Sequence, residues 1–221
     1  MQLRIHRAGL GLLIIEISLF TLCTLSGLIS RQRIFAALTL FSLLIFGFTL
    51  YFFRNPVRKI IRNEGVILAP ADGRIREIST DGFTNGVGPC QMVSIYLSLW
   101  NVHVNRSPVS GEVIQKRSGR GRYLPAFLKE AGRHNAYTLV EILNDTGLYA
   151  VRQMTGFLAR RIVCNLDIGD RVGQGDCYGI IQFGSRVNLY LPPSASILIN
   201  EGDRVKGGET IIGKINIAHN I

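Results

Sequence analysis

Cysteine pairs and metal-binding patterns are missing from this sequence. The chain has 221 residues and only four cysteines. None of the four forms a C-x-x-C pair, and none has a histidine at the spacing of a metal site. Scattered thiols of this kind are typical of a reducing compartment. We therefore expect neither a disulfide nor a bound metal.

Charge is nearly absent from the first part of the chain. Residues 8–30 are apolar apart from Glu16, and residues 34–53 carry no charge. A helix rises about 1.5 Å per residue, so each stretch could cross a hydrocarbon core of about 30 Å. The sequence predicts an N-terminal membrane helical hairpin at residues 1–53, with spans at about 8–30 and 34–53.

Arginine and lysine are unevenly placed around this hairpin. The turn holds only Arg31 and Arg33, whereas more basic residues flank the two outer ends, namely Arg4, Arg7, Arg54, Arg58, Lys59 and Arg62. The positive-inside rule therefore predicts that both ends of the hairpin, and all that follows, lie in the cytoplasm. A hairpin confined to one leaflet is the alternative, because Glu16 is costly in lipid.

Acidic residues are too few to balance the basic ones. The chain has 15 Asp and Glu against 25 Lys and Arg, a net charge of +10, and most of the surplus follows residue 53. Such a surplus suits nucleic acid or anionic lipid, or is an ordinary basic surface. The hairpin favours lipid, so we expect a membrane partner and no nucleic acid.

Helical patterns are scarce after residue 54. Only residues 124–131 resemble a short helix, whereas β-branched runs bounded by turn residues recur and predict strands. The runs lie at residues 91–97, 139–143, 161–166, 178–182, 187–191, 196–199 and 210–217. Residues 54–221 are therefore expected to form one mainly β domain.

Two internal repeats narrow the architecture. Residues 169–176 (GDRVGQGD) return as residues 202–209 (GDRVKGGE), and residues 70–75 are echoed by residues 108–113. Their glycines permit tight corners between short strands. We expect a compact β-sandwich or barrel with a pseudo-twofold, and both patterns resemble the hammerhead turns of biotinyl and lipoyl domains.

This likeness supplies one alternative function, a membrane-anchored lipoyl-like binding or adaptor module without catalysis. A carrier needs a modifiable lysine at a hairpin tip, commonly between methionines, and the sequence has none. Adaptors insert a long helical hairpin, and no heptad run follows residue 54. The module therefore remains the second interpretation.

Residues with reactive potential lie in four segments. Gly184 and Ser185 interrupt an apolar run, where a glycine often marks a bend. Asp72 precedes a turn glycine, and His103 lies between two valines. Arg160 and Arg161 open a strand-like run and suit phosphate. Each of these signals also has a purely structural interpretation.

The segments taken together resemble the short class of phosphatidylserine decarboxylases, in the pyruvoyl-dependent decarboxylase family, over nearly the whole chain. The resemblance rests on the hairpin and on the order and spacing of the motifs FFRNP (52–56), PADG (70–73), LSLWNVHVNRSPVSG (97–111), QMTG (153–156), ARRIV (159–163) and FGSRV (183–187).

The resemblance implies a zymogen that cleaves itself at Gly184–Ser185. Ser185 would attack the Gly184 carbonyl and become a pyruvoyl cofactor, leaving a β chain of residues 1–184 and an α chain of residues 185–221 as a heterodimer, alone or in a higher oligomer. His103 is the candidate base or acid, and Asp72 the candidate residue that orients it.

The resemblance further implies decarboxylation of phosphatidylserine to phosphatidylethanolamine and CO₂ in phospholipid biosynthesis, through a Schiff base between the substrate amine and the pyruvoyl group. The expected location is the inner cell membrane, with the catalytic domain in the cytoplasm. Arg106, Arg160, Arg161 and Arg186 are candidate substrate-binding residues. A pyruvoyl enzyme that acts on another amine is a further alternative.

The chain also departs from the family pattern. Longer members have a second histidine where this chain has Arg106, and they end in Leu-Gly-Ser-Thr rather than Phe-Gly-Ser-Arg. Residues 133–137 lack an expected Asn-Glu-Arg. These departures leave the base assignment open.

Overall fold

The computed structural model describes residues 3–84, 88–128, 130–157 and 161–215. Contacts within the chain divide it into two compact units, Met1–Val57 and Arg58–Ile221. Arg160, one of the candidate substrate-binding residues, lies outside the described residues.

The first unit contains two long apolar helices. Strand β1 (Leu3–Ile5) and a 3-10 turn (Arg7–Gly9) lead into helix α1 (Leu10–Ser30), and helix α2 (Arg33–Phe52) is followed by strand β2 (Arg54–Pro56), which pairs with β1. Arg31 adopts a left-handed φ of 54° in the turn between the helices. Both helices have the length and apolarity needed to cross a membrane.

The single carboxylate of the hairpin is buried against the opposite helix. Thr49 Oγ1 donates a hydrogen bond of 2.7 Å to Glu16 Oε1, and both side chains are buried. A polar group inside a bilayer is tolerated when it faces another helix and finds a partner there. This contact pairs one oxygen of Glu16 across the two helices.

The second unit is built almost entirely from antiparallel strands. Its strands are β3 (Val66–Leu68), β4 (Gly73–Thr84), β5 (Gly88–Leu97), β6 (Val104–Arg106), β7 (Gly111–Gly119), β8 (Tyr137–Asn144), β9 (Gly147–Thr155), β10 (Ile162–Cys164), β11 (Arg171–Val172), β12 (Cys177–Ile181), β13 (Ser185–Leu191), β14 (Ser196–Ile197), β15 (Arg204–Val205) and β16 (Ile211–Lys214). The prediction of a mainly β domain is confirmed.

One eight-stranded sheet dominates, in the order β11-β7-β8-β9-β13-β5-β4-β15, with smaller sheets β10-β12-β6 and β14-β16-β3. The main core includes Ile95 of β5, Val151 of β9 and Val187 of β13. Every residue of β13 is buried, and the strand is hydrogen-bonded on both sides, to β5 and β9. Strand β13 is therefore central to the sheet.

The two repeats of the sequence form equivalent corners at the edges of this sheet. Gly169 and Gly202 both have a φ of 92°, a conformation that glycine adopts readily. The edge strands β11 and β15 follow them, and pair with β7 at Gly111 and with β4 at Gly73. The two repeats therefore adopt the same local structure, as the predicted pseudo-twofold requires.

The predicted helix at residues 124–131 is wrong. Residues 126–128 form a turn, and the only helix in the described part of the second unit is α3 (Ala131–His134). Pro125 has no backbone N–H, and the Asn135 side chain hydrogen-bonds both the N–H and the C=O of Leu124. These contacts stabilise an irregular loop in place of a helix.

Candidate active site

Ser185 lies at the first position of the central strand. Its Cα is paired with Leu97 of β5 and with Thr155 of β9, and the residue is fully buried. The Oγ atom has no hydrogen-bond partner. A buried hydroxyl without a partner costs about 1–3 kcal/mol, so this serine is an exception that requires a functional explanation.

The backbone just before Ser185 is bent into the left-handed region twice in succession. Phe183 has a φ of 64° and Gly184 a φ of 72°. Gly184 adopts this conformation at little cost, whereas a bulky residue such as Phe183 is strained by about 1–3 kcal/mol. The predicted bend is therefore present and strained, immediately before the Gly184–Ser185 bond.

Gly156, which follows β9, lies directly against this bond. A Cβ atom at Gly156 would stand 2.5 Å from the Gly184 carbonyl oxygen and 3.1 Å from Ala126 Cβ. A contact of 2.5 Å between these atoms essentially does not occur, so only glycine permits the two segments to approach this closely. The carbonyl that would be attacked is thus packed against the Gly156 backbone.

His103 reaches the same segment from the other side. Its ring is fully buried, Nδ1 lies 3.0 Å from the Asn101 carbonyl oxygen, and Nε2 lies 3.2 Å from the Gly184 nitrogen. A carbonyl only accepts and an amide N–H only donates, so these partners assign the proton to Nδ1 and leave the Nε2 lone pair facing Gly184. This is the tautomer that a base requires.

Asp72 is engaged elsewhere. Its carboxylate accepts two hydrogen bonds from Arg58, of 2.9 and 2.7 Å, and a third of 2.8 Å from the Gly207 amide. The Asn101 carbonyl, rather than Asp72, is the hydrogen-bond partner found for His103 Nδ1. The orienting role of Asp72 therefore remains a prediction.

Two candidate substrate-binding arginines are occupied by internal contacts. Arg106 is buried and donates to the Gly175 carbonyl. Arg186 is also buried and donates to Ser94 Oγ, the Leu128 carbonyl and Glu77. Burial lowers the pKa of Arg186, and the charge of Glu77 partly opposes this shift. The third described candidate, Arg161, is exposed just before β10.

A buried pair of amides was missed by the sequence reasoning. Gln153 Nε2 donates to Asn105 Oδ1 at 2.7 Å, and both residues are fully buried. Gln153 lies two residues before Thr155, the partner of Ser185, and Asn105 lies two residues after His103. The available signal was Gln153 itself, a polar residue at the alternate position between Val151 and Thr155 of a core strand.

The site also has a structural support in Asn135. Besides holding Leu124, its Nδ2 donates at 2.7 Å to the Thr155 carbonyl. This side chain therefore connects the loop before α3 to the end of β9, next to Gly156. Within the ranges the structure describes, three or more His, Cys, Asp or Glu side chains do not cluster in a metal-binding arrangement.

Comparison with known proteins identifies the family. Residues 45–213 match the family model for phosphatidylserine decarboxylase. A phosphatidylserine decarboxylase proenzyme of Amoebophilus asiaticus is 40% identical and covers 97% of each chain. Proteins of the same name from Chlorobaculum parvum and Chlorobium chlorochromatii are 39% and 43% identical, over 96% and 79% of this chain and 100% and 82% of theirs. This chain belongs to the phosphatidylserine decarboxylase family.

Proposed function

We propose that this protein decarboxylates phosphatidylserine to phosphatidylethanolamine in phospholipid biosynthesis, after cleaving its own Gly184–Ser185 bond. Relatives named as proenzymes support this proposal. The observation that carries it is the Ser185 hydroxyl, buried without a partner directly after a strained bend.

Cleavage would begin with an acyl shift. Ser185 Oγ attacks the Gly184 carbonyl carbon, the C–N bond breaks, and the hydroxyl proton moves to the freed nitrogen of residue 185. Loss of the Ser185 Cα proton then breaks the bond between Cβ and the ester oxygen. The Gly184 carboxylate and a dehydroalanine result, and hydrolysis of the latter yields the pyruvoyl group and ammonia.

His103 is the proposed base for these proton transfers. A hydroxyl is a weak nucleophile until a base removes its proton. The lone pair on His103 Nε2 faces the Gly184 amide, one residue from Ser185 Oγ. Rotation of the peptide between the strained Phe183 and Gly184 would release this lone pair for the hydroxyl. Asp72 is retained as a candidate that stabilises the histidine cation.

The residues around position 185 fit a pyruvoyl group. Ser185 Oγ makes no hydrogen bond that would be lost on conversion, and pairing with β5 and β9 would hold the residue in place. A pyruvoyl ketone supplies the amine-binding carbonyl and the electron sink for decarboxylation. The chain itself would contribute by burying the reacting site away from water, because decarboxylation is easier in a dry site.

The exposed residue Arg161 is the best placed of the described candidate arginines for the substrate phosphate. Its carbonyl accepts the Gln182 N–H at 3.0 Å, two residues before Gly184. Guanidinium groups bind phosphate through paired donors. Arg106 and Arg186, by contrast, would act by holding the surrounding loops.

The first unit would anchor the enzyme in the inner membrane. Its two apolar helices have suitable length, and the basic residues flanking them favour a cytoplasmic second unit. In this arrangement the catalytic chains remain next to their lipid substrate.

Turnover tests the proposed function. CO₂ release from vesicles containing phosphatidylserine should be catalysed by the wild type and abolished in Ser185→Ala. Ser107→Ala is the matched control, because Ser107 is also fully buried but donates to the Val109 carbonyl, and it should retain activity. Equal activity of Ser185→Ala and wild type, or release only from a different amine lipid, would contradict the proposal.

A further inference from the structure

Three bulky side chains near the Gly184–Ser185 bond are exposed to solvent. Trp100 is 66% exposed, Phe127 50% and Phe157 68%. Large apolar residues exposed together mark an interaction surface more often than isolated ones do. We call these three residues the aromatic rim.

Each rim residue directly follows, in the sequence, a residue that packs near the bond. Leu99 Cδ2 lies 3.8 Å from the point where a Cβ of Gly184 would stand. Gly156 packs against the Gly184 carbonyl oxygen, and Ala126 packs against Gly156. Three separate segments that meet near one backbone bond therefore each carry one exposed aromatic side chain.

Exposed arginines lie near two of the rim residues in the sequence, namely Arg120 and Arg122 before Phe127, and Arg161 after Phe157. Arg122 is tied to α3 through its N–H bond to the His134 carbonyl, and Arg161 is tied to the segment before Gly184. Aromatic rings together with arginines suit the boundary between lipid tails and anionic headgroups.

We propose that the aromatic rim docks the second unit onto the surface of an anionic lipid bilayer. The proposal rests on the proposed function, since a lipid headgroup must reach the buried residue 185. Insertion of the rim would place the bilayer surface directly over the bond. This contact would be distinct from the insertion of α1 and α2.

Trp100 is the only tryptophan of the chain, so its fluorescence reports on this contact directly. The full chain is reconstituted in nanodiscs of phosphatidylcholine and phosphatidylglycerol, with or without bromine atoms on the acyl chains. We expect brominated lipid to cause a roughly twofold loss of Trp100 emission, because interfacial aromatic residues reach the upper acyl chains. Aqueous iodide should quench it only weakly.

Two variants that move the single tryptophan to another position test which part of the second unit contacts the lipid. Trp100→Phe combined with Phe157→Trp should be quenched by brominated lipid in the same way. Trp100→Phe combined with Leu143→Trp is the control. Tyr137, at one end of β8, pairs with Met154, two residues before Gly156. Leu143 is 45% exposed and lies towards the other end of β8, about 20 Å from Tyr137. The control should be quenched by iodide and not by brominated lipid.

Trp100 emission that is unaffected by brominated lipid would overturn the proposal. A blue shift that depends on protein concentration and not on brominated lipid would overturn it in favour of contact between two copies of the chain.

The discs contain no phosphatidylserine, so the result is independent of turnover. Lipid quenching without CO₂ release in the separate assay would contradict the proposed function alone, and CO₂ release without lipid quenching would contradict the docking alone.

Discussion

At the scale of single residues, Gly156 offers a sharp test of the packing around the scissile carbonyl. A methyl group there would stand 2.5 Å from the Gly184 oxygen, so the carbonyl would have to move. We expect Gly156→Ala to slow self-cleavage by about a hundredfold, since misplacement of reacting atoms by about 1 Å can have that effect. The fraction of chain cleaved over time, followed by denaturing electrophoresis, measures this rate.

Ala126 provides the matched control for Gly156→Ala. The added methyl would also lie 3.1 Å from Ala126 Cβ, and Ala126→Gly removes that second contact. Ala126→Gly alone should cleave normally. The double variant should remain slow if the Gly184 oxygen is the decisive contact. Recovery of normal cleavage in the double variant would show that Gly156 serves loop packing only.

Comparing two variants distinguishes an effect of the Asp72 charge on His103 from the loss of the ion pair between Asp72 and Arg58. Asp72→Asn keeps the size of the side chain but removes the charge, and Arg58→Gln removes the other partner of the pair. If the carboxylate stabilises the His103 cation, Asp72→Asn should slow cleavage about tenfold more than Arg58→Gln, corresponding to about 1.4 kcal/mol. Equal cleavage rates would limit Asp72 to the ion pair.

Sequence reasoning located the residues with reactive potential better than it located their partners. The bend at Gly184 was predicted because glycine interrupts an apolar run, and the structure places His103 beside it. The contacts of Asp72 with Arg58 and Gly207, by contrast, join residues far apart in the chain. Such tertiary partners leave no local signal in one sequence.

At the scale of secondary structure elements, Glu141 of β8 makes stability depend on pH. The residue is 2% exposed, and burial raises its pKa, an effect that the charge of Arg117 partly opposes. A raised pKa means that the fold favours the protonated carboxyl, so its stabilising contribution is lost as pH rises through the folded-state pKa. The neutral form of this side chain therefore suits the folded state better.

Glu141→Gln should consequently raise the Tm at pH 8 by about 2–4 °C and change it little at pH 4. Thermal unfolding followed by circular dichroism measures the difference. Glu112→Gln, at an exposed position of β7, is the control and should leave the Tm unchanged at both pH values. A Glu141→Gln variant that is less stable than the wild type at pH 8 would contradict this assignment.

The elements themselves were only partly predictable. Apolar runs such as residues 187–191 coincide with most of β13, because a strand buried on both faces has a continuous apolar pattern. Strands β4 and β7 were not predicted, since charged residues occupy their exposed positions and obscure the alternation. The helix expected at residues 124–131 failed because the Asn135 side chain binds Leu124.

At the scale of the whole molecule, cleavage should leave the two chains firmly associated. The α chain would begin with β13, which is hydrogen-bonded on both sides by strands of the β chain. It would also contribute β15 and β16, which pair with β4 and β3. We expect the cleaved protein to elute as one species in detergent and to separate only in denaturant. Release of the α chain under native conditions would contradict this account.

The repeats at residues 169–176 and 202–209 predicted two equivalent corners in the second unit, because the same glycine spacing requires the same corner. The sequence predicts a domain boundary after residue 53. Strand β2 pairs with β1, and the first compact unit ends at Val57. The boundary between independently folding domains stays a prediction.

Conversion of Ser185 by cleavage of its own peptide bond can be followed by intact-mass spectrometry of the purified protein. We expect two chains, residues 1–184 and residues 185–221, and a single uncut chain for Ser185→Ala. The smaller chain should be lighter than a serine-initiated peptide by the mass of one ammonia. A wild-type protein that remains one chain after maturation, or an α chain that begins with an unmodified serine, would contradict this conversion.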